Sequence, residues 1–233
     1  MIEDPPILSI KPRSLSIDSA LLTKLSAFTT GVVVDAMEGD GALPHTVRAL
    51  SPGILPVSCC GPVLTVDPGP ADVLAVLASL TEIQPGDVLV IATGGYDRCA
   101  SLGDRVAGMA RNAGAVAVVT DGLVRDVKGL EQVGLPIYCC GVSPNSPFNN
   151  GPGRIGTSIT IGDVSITRND VLLADADGAV IVPGEQLASV ITRCRQIEQL
   201  EAELDAEVEK GLVAPDAIQE LVSSDKVLRF DQN

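Results

Sequence analysis

Asp104 and the dipeptide Arg125-Asp126 bring two carboxylates and a guanidinium into one stretch of chain. Carboxylates are the hard oxygen ligands that magnesium prefers, and arginine keeps its charge and offers a planar fork of donors to an oxyanion. The chemistry implied is an anion held beside a divalent metal. That requires the chain to leave Asp104 and return to the same place at Arg125. The intervening sequence is built to do so: a helix opens at Ser101-Leu102-Gly103-Asp104 and runs to about Asn112, an apolar strand spans Ala115 to Thr120, and Thr120-Asp121-Gly122 turns back. Both polar ends then lie outside the carboxyl ends of the strands, where open α/β sheets bind ligands.

The elements around this unit alternate in type. Asp18 is placed to cap a helix carrying Leu21, Leu22, Leu25 and Phe28 at helical spacing, and Thr29 or Thr30 to cap a second through Val33, Val34 and Met37. Val57 to Val66 is a strand interrupted at Gly61-Pro62, Ala71 to Leu80 a helix, and Val88 to Ala92 a fully buried strand after the Pro85-Gly86-Asp87 turn. A short helix near Val127 to Val133 and a strand from Pro136 to Cys140 follow. This alternation implies an α/β fold with right-handed crossovers and a largely parallel core. Residues 143 to 156 form a Pro, Gly and Asn loop of the length that is usually functional or part of an interface. Short β runs at 158–161, 164–167, 171–173 and 179–182 then predict a β-rich second layer. The chain divides into an N-terminal surface arm (1–17), one catalytic-type domain (18–185) and an acidic helical extension (186–233) placed at a subunit interface.

Composition excludes several function classes. Sixteen Lys and Arg against 30 Asp and Glu, a net charge of -14, disfavour nucleic acid and anionic membranes as partners, so a small anionic substrate needs a local positive site. No Trp and 2% aromatic residues leave no stacking platform for single strands. His45, the sole histidine, sits in a Pro-containing loop with no nucleophile motif beside it. Four of the six cysteines form the adjacent pairs Cys59-Cys60 and Cys139-Cys140 in apolar runs, which makes them structural thiols rather than disulfides or zinc ligands. No signal-peptide pattern or membrane-length apolar run is seen, so the expected compartment is the cytoplasm. Gly94-Gly95 is not part of a GxGxxG dinucleotide fingerprint, and Asp175-Ala176-Asp177-Gly178 lacks the remaining ligands of a calcium loop and is expected to be a β-turn.

Several motifs together carry a family resemblance. They are Pro85-Gly86-Asp87-Val88-Leu89-Val90, Gly103-Asp104, Asp121-Gly122-Leu123-Val124-Arg125-Asp126, Gly134-Leu135-Pro136-Ile137 and Ala174-Asp175-Ala176-Asp177-Gly178-Ala179. Over roughly residues 20 to 185 the chain resembles the family of 4-hydroxy-4-methyl-2-oxoglutarate/4-carboxy-4-hydroxy-2-oxoadipate aldolases, which also contains the regulator of ribonuclease activity A. The resemblance implies an α/β/β/α sandwich of the swivelling-domain type, assembled as a trimer or hexamer, and a class II pyruvate aldolase using Mg2+ or Mn2+. It further implies that Arg125 neutralises a pyruvate enolate and Asp126 binds the metal. Asp104 would hold metal-bound water, and Gly103, Arg105 and Val106 would receive the carboxylate of a 2-oxo acid. Oxaloacetate decarboxylation would use the same site. The noncatalytic regulator branch tends to lack the first aspartate, which this chain retains. A glutamate from the acidic helix of residues 198 to 209 reaching a neighbouring subunit is a further implication. Two segments depart from the family pattern: Arg168-Asn169-Asp170 stands where Pro-Gly-Asp is common, and Tyr96, Asp97 and Arg98 occupy the Gly-rich turn.

Overall fold

A computed structural model describes residues 6–230. Its centre is made by four parallel strands whose residues are almost all apolar. These are β3 (Cys59–Asp67), β4 (Val88–Ile91), β6 (Ala117–Thr120) and β8 (Ile137–Cys139) when all strands are numbered along the chain. Along its main path the nine-stranded sheet also takes in β1 (Leu8–Ile10), β2 (Arg48–Ala49) and β9 (Gly153–Ile155), giving the order β1-β9-β3-β4-β6-β8-β2. Successive side chains of a strand point to opposite faces, and here each face has its own core. Leu89, Ile91 and Val118 pack on one side with α3 (Leu74–Ser79), α4 (Asp104–Ala113) and α5 (Val127–Val133). Val88, Val90, Ala117 and Val119 pack on the other against β10 (Ile159–Ile161), β11 (Val164–Ile166), β12 (Val171–Ala174) and β13 (Ala179–Val182).

Two N-terminal helices, α1 (Ser19–Leu25) and α2 (Thr30–Ala36), start where their capping residues predict. Asp18 accepts from Ala20 N–H and Thr29 from Val32 N–H. Helix α2 buries Val32, Val33 and Ala36, and Cys194 Sγ reaches the Val32 carbonyl at 3.9 Å from the start of α6 (Leu187–Glu209). The architecture is therefore mixed α/β with a mostly parallel sheet, layered helix, sheet, β, helix. The chain forms one compact unit ending at Cys194 and a second from Arg195. The second unit holds the rest of α6, with Leu200, Leu204 and Val208 exposed, and α7 (Asp216–Ser223).

Four sequence expectations change in the structure. Strand β3 is not interrupted at Gly61-Pro62 but changes partner there. Cys59 to Pro62 pair with β12, and from Val63 the strand pairs with β4, so the residue with no N–H lies at the switch. Ser101 is not helical: β5 (Ala100–Leu102) is a buried strand parallel to β7 (Leu123–Val124), and the helix begins only at Asp104, after extended Gly103. Helix α3 begins at Leu74 rather than Ala71, because Ala71 has φ 59 and the Asp72 carboxylate accepts from Leu74 N–H. The 143–156 segment is not all loop, since β9 lies within it.

The N-terminal arm, described from Pro6, is an integral part of the sheet through β1, which pairs in parallel with β9. Beyond β1 the arm is pinned by the turn at Arg168-Asn169. Asn169 Oδ1 accepts from the N–H groups of Ser14 and Leu15, Arg168 Nη1 donates to the Lys11 carbonyl, and Arg13 Nε donates to the Arg168 carbonyl. Arg13 also pairs with buried Asp87 at 2.7 Å.

Candidate active site

The β5–β7 pairing brings the separated motifs together. Arg125 N–H donates to the Leu102 carbonyl at 3.1 Å, so the residue just after β7 lies beside the last residue of β5. Gly103 comes next in the chain. A Cβ at Gly103 would lie 2.6 Å from Asp126 Oδ2 and 3.1 Å from Arg125 Cγ. Its φ of -135° is open to any residue, so glycine serves here to make room for side chains rather than to relieve backbone strain.

Asp126 occupies the N-cap position of α5, yet it does not cap. Its backbone is left-handed, with φ 60 and ψ 46, and its side chain makes no cap hydrogen bond. An aspartate N-cap ordinarily has an extended backbone and a carboxylate that accepts from the helix N–H groups. This one has turned toward Arg125, with Oδ2 at 3.2 Å from Nε, and both side chains remain partly open to solvent. Left-handed backbone at a non-glycine residue carries a conformational cost, and such costs cluster where function needs them. The far end of the guanidinium is held too, since Arg125 Nη1 donates to Ser146 Oγ.

Asp104 is the first residue of α4, and its Oδ1 accepts from Arg105 N–H at 2.7 Å. Its side chain lies against the backbone of α5 at Gly129. Together, Gly103, Asp104, Arg105, Val106, Arg125 and Asp126 line one groove of about 520 Å³, completed by Val73 and Leu77 of the α3 region, Leu102, Met109 of α4, and Pro147. All six residues expected at the site are thus in one place. The Arg105 amide, expected to receive a substrate carboxylate, is donated to Asp104 in this structure.

Sequence reasoning missed Gly129, Ser146 and the apolar wall. Gly129 carries no signal in a helix except its low propensity, and Ser146 belongs to a loop whose path depends on distant contacts: Ser143 N–H to the Val124 carbonyl and Asn145 Nδ2 to the Arg98 carbonyl. The Gly94-Gly95 turn needs glycine for its positive φ angles, 68° and 71°, and not for close approach. Asp121 clamps it by accepting from Thr93 N–H and Gly95 N–H. Asp175 likewise makes the expected turn, accepting from Asp177 N–H, and also ties down the start of α2 through Thr30. His45 is an exposed turn residue. The thiols of Cys59 and Cys60 are each pushed up to about 12 by burial, which makes them inert.

Among the described residues no helix is long and apolar enough to cross a membrane. Comparison with known proteins agrees with the geometry. A protein of Halalkalibacterium halodurans, provisionally named a 4-hydroxy-4-methyl-2-oxoglutarate aldolase, is 33% identical over 75% of this chain and 82% of its own. The crystal structure of an uncharacterized protein from Pseudomonas syringae superposes with a TM-score of 0.75 and 25% identity, covering 85% of this chain and 96% of its own. That of Streptomyces coelicolor RraAS2, described as an unusual member of the RNase ES inhibitor RraA family, gives a TM-score of 0.73 and 26% identity over 82% of this chain and all of its own. The Aldolase/RraA family model matches residues 30–181, a span that holds every residue lining the groove. The chain belongs to the RraA-like family.

Proposed function

We propose that this protein is a divalent-metal-dependent, pyruvate-forming lyase that cleaves 4-hydroxy-4-substituted 2-oxo acids and decarboxylates oxaloacetate. The observation that carries this reading is Asp126, whose carboxylate gives up the capping role to stand beside Arg125 at a groove. Such a placement costs stability and is explained by a ligand.

The donor set fits a hard cation that keeps much of its own water. Among the described residues no three His, Cys, Asp or Glu side chains cluster as a closed cage. One or two carboxylates completed by waters and substrate oxygens is the pattern of Mg2+ or Mn2+ sites of this type. Asp126 would bind the ion and Asp104 would hold water at the groove wall. When bound, the ion would supply Lewis-acid polarisation of the substrate's 2-oxo group.

The chain's own residues do the rest. In retro-aldol cleavage the C4 hydroxyl would pass its proton to the water held by Asp104, the C3–C4 bond breaks, C4 becomes a carbonyl, and the electron pair moves onto the pyruvate enolate, which then takes a proton back from water at C3. Negative charge therefore grows on the 2-oxo oxygen. Arg125, already oriented by Asp126 and Ser146, meets that charge without having to reorganise. Gly103 and the first turn of α4, with Arg105 and Val106, would take the substrate carboxylate, since a helix N-terminus favours negative charge. Asp104 would then give up the Arg105 amide.

Purified protein supplied with Mg2+ or Mn2+ should release pyruvate from oxaloacetate and from 4-hydroxy-4-methyl-2-oxoglutarate, measured with lactate dehydrogenase as the coupling enzyme. Arg125→Ala should abolish release. The second reading is a noncatalytic regulator that binds a protein partner, favoured by the inhibitor family named for the Streptomyces structure. Absence of pyruvate from a broad panel of 2-oxo acids with either metal would decide for it.

A further inference from the structure

Ser146 and Pro147 hang between two anchors. On one side, the Asn145 carbonyl accepts from Ala100 N–H at 3.0 Å and its Nδ2 donates to the Arg98 carbonyl at 2.8 Å. On the other, Phe148 pairs with the segment before α3: its N–H donates to the Ala71 carbonyl at 2.7 Å, and its carbonyl accepts from Val73 N–H at 2.8 Å. The two residues left between are the two that reach the site, Ser146 at Arg125 Nη1 and Pro147 in the lining of the groove. Asn145, Ser146, Phe148 and Asn150 are exposed, so these bonds rather than burial fix the path of the loop. Asp72, within the second anchor, is only 9% exposed. Its Oδ1 accepts from Leu74 N–H at 2.8 Å, and its Oδ2 accepts from Asn150 N–H at 2.7 Å and Gly151 N–H at 3.1 Å. Burying a carboxylate is costly unless hydrogen bonds offset it. The chain also accepts a left-handed residue, Ala71 at φ 59, to reach this arrangement, and such strain clusters at functional positions.

Resting on the lyase reading, we infer that Asp72 is a positioning residue: by clamping the loop to the start of α3 it sets Ser146 against the Arg125 guanidinium, which is then aimed before the enolate charge develops. One carboxylate thereby joins two parts of the groove, the start of α3 with Val73 and Leu77 and the loop with Ser146 and Pro147. Asp72 itself does not touch the substrate. Its effect falls on the transition state, because a donor held in place beforehand has no reorganisation left to make when charge appears.

Asp72→Asn keeps the shape of the side chain, but its amide can serve the Leu74 side or the loop side and not both, since Nδ2 is a donor facing donors. With Mg2+ and 4-hydroxy-4-methyl-2-oxoglutarate, kcat for pyruvate release should fall about tenfold or more at unchanged KM. Ser146→Ala should give a similar fall, and the double variant no further fall than the larger single one, because both act through one contact. Asp72→Ser, whose hydroxyl can also accept from Leu74 N–H, gives the same test should the asparagine variant not fold. The Arg125 Nε–H resonance, identified by its loss in Arg125→Lys, reads position without turnover: in Asp72→Asn it should exchange with water faster. Effects of Asp72 and Ser146 that multiply, a KM rise at constant kcat, or an Arg125 resonance that Asp72→Asn leaves unchanged overturns the inference, while wild-type turnover keeps the lyase reading. A wild type that releases no pyruvate, with the Arg125 resonance loosened by Asp72→Asn, overturns the lyase reading and leaves Asp72 as the residue that positions the guanidinium.

Discussion

Gly129 lies so close under Asp104 that a Cβ added to it would sit 2.3 Å from Oδ2, 2.6 Å from Cβ and 2.8 Å from Cγ of the aspartate. Contacts at Cβ and Cγ cannot be relieved by swinging the tip of the carboxylate; the whole side chain, or α4 itself, must move. A glycine inside a helix ordinarily costs about 1 kcal/mol relative to alanine, so its use in α5 is a sacrifice of helix stability to seat Asp104. Gly129→Ala should therefore fail to give the usual gain. Its melting temperature should be equal to or below that of the wild type, and pyruvate release should drop at least about tenfold, the scale expected when a site group is displaced by an ångström. A variant that melts higher and works as well would show that Asp104 does not depend on this gap.

Asp126 allows stability and activity to be separated in opposite directions. Its left-handed backbone is easily adopted by glycine and tolerated by asparagine. Asp126→Gly should raise stability by about 1 kcal/mol, since relief of a left-handed residue is worth that much, and should eliminate pyruvate release. Asp126→Asn should leave stability within about 0.5 kcal/mol, as surface changes without a named defect do, and still lose activity because the charge is gone. Chemical denaturation and the coupled assay on the same preparations read both quantities. Loss of stability in the glycine variant would mean that the Asp126–Arg125 pair is holding the turn together and not waiting for a ligand.

Local patterns in the sequence were enough to find the central strands, the Asp18 and Thr29 caps and the charged residues that the fold gathers at one groove. Val88 to Ile91 and Ala117 to Thr120 are apolar on both faces because both faces are covered, and no other structure suits such runs. Asp104, Arg125 and Asp126 were found because their spacing matched a strand-and-helix return. What stayed hidden depended on partners far away in sequence. Ala100 to Leu102 is a strand only because Leu123 and Val124 arrive beside it, and its proximity to Gly103 made it look like the start of a helix. The apolar wall of the groove was invisible for the same reason: Val73, Leu77 and Met109 have the spacing of ordinary core residues, and only their assembly leaves them facing a groove.

Arg168 and Asn169 act as the anchor of the N-terminal arm. Arg168 is 5% exposed and holds the Lys11 carbonyl and Glu82, while Asn169 holds the backbone of Ser14 and Leu15. Replacing the pair with Pro-Gly removes these bonds and leaves the arm tied mainly by β1 and Arg13. Arg168→Pro with Asn169→Gly should cost about 4 kcal/mol, from three hydrogen bonds and the Arg168–Glu82 pair at about 1 kcal/mol each. The same change should make the segment from Lys11 to Leu15 exchange its amide hydrogens faster. Unchanged exchange across these residues would assign the arm's order to the sheet alone.

The half-buried thiols of Cys59 and Cys60 set an alkaline limit to the fold. Cys59 and Cys60 rise from an ordinary value of 9.0 to about 12, chiefly because burial penalises the thiolate. In the unfolded chain these thiols ionise as pH passes about 9, whereas in the fold they stay protonated. The unfolded state then binds fewer protons, and stability falls with rising pH. Their contribution is complete below pH 9 and disappears progressively between about 9 and about 12. Urea midpoints taken across that interval should decline, and Cys59→Ala with Cys60→Ala should flatten the decline while lowering stability at neutral pH through lost packing. At pH 8 both thiols should also react with iodoacetamide far more slowly in the folded protein than after unfolding, because the thiolate is the nucleophile. Rapid alkylation of the native protein at either position would show that the β3–β12 pairing around Cys59 and Cys60 opens readily, and that the inert thiols are protected less by the fold than their burial implies.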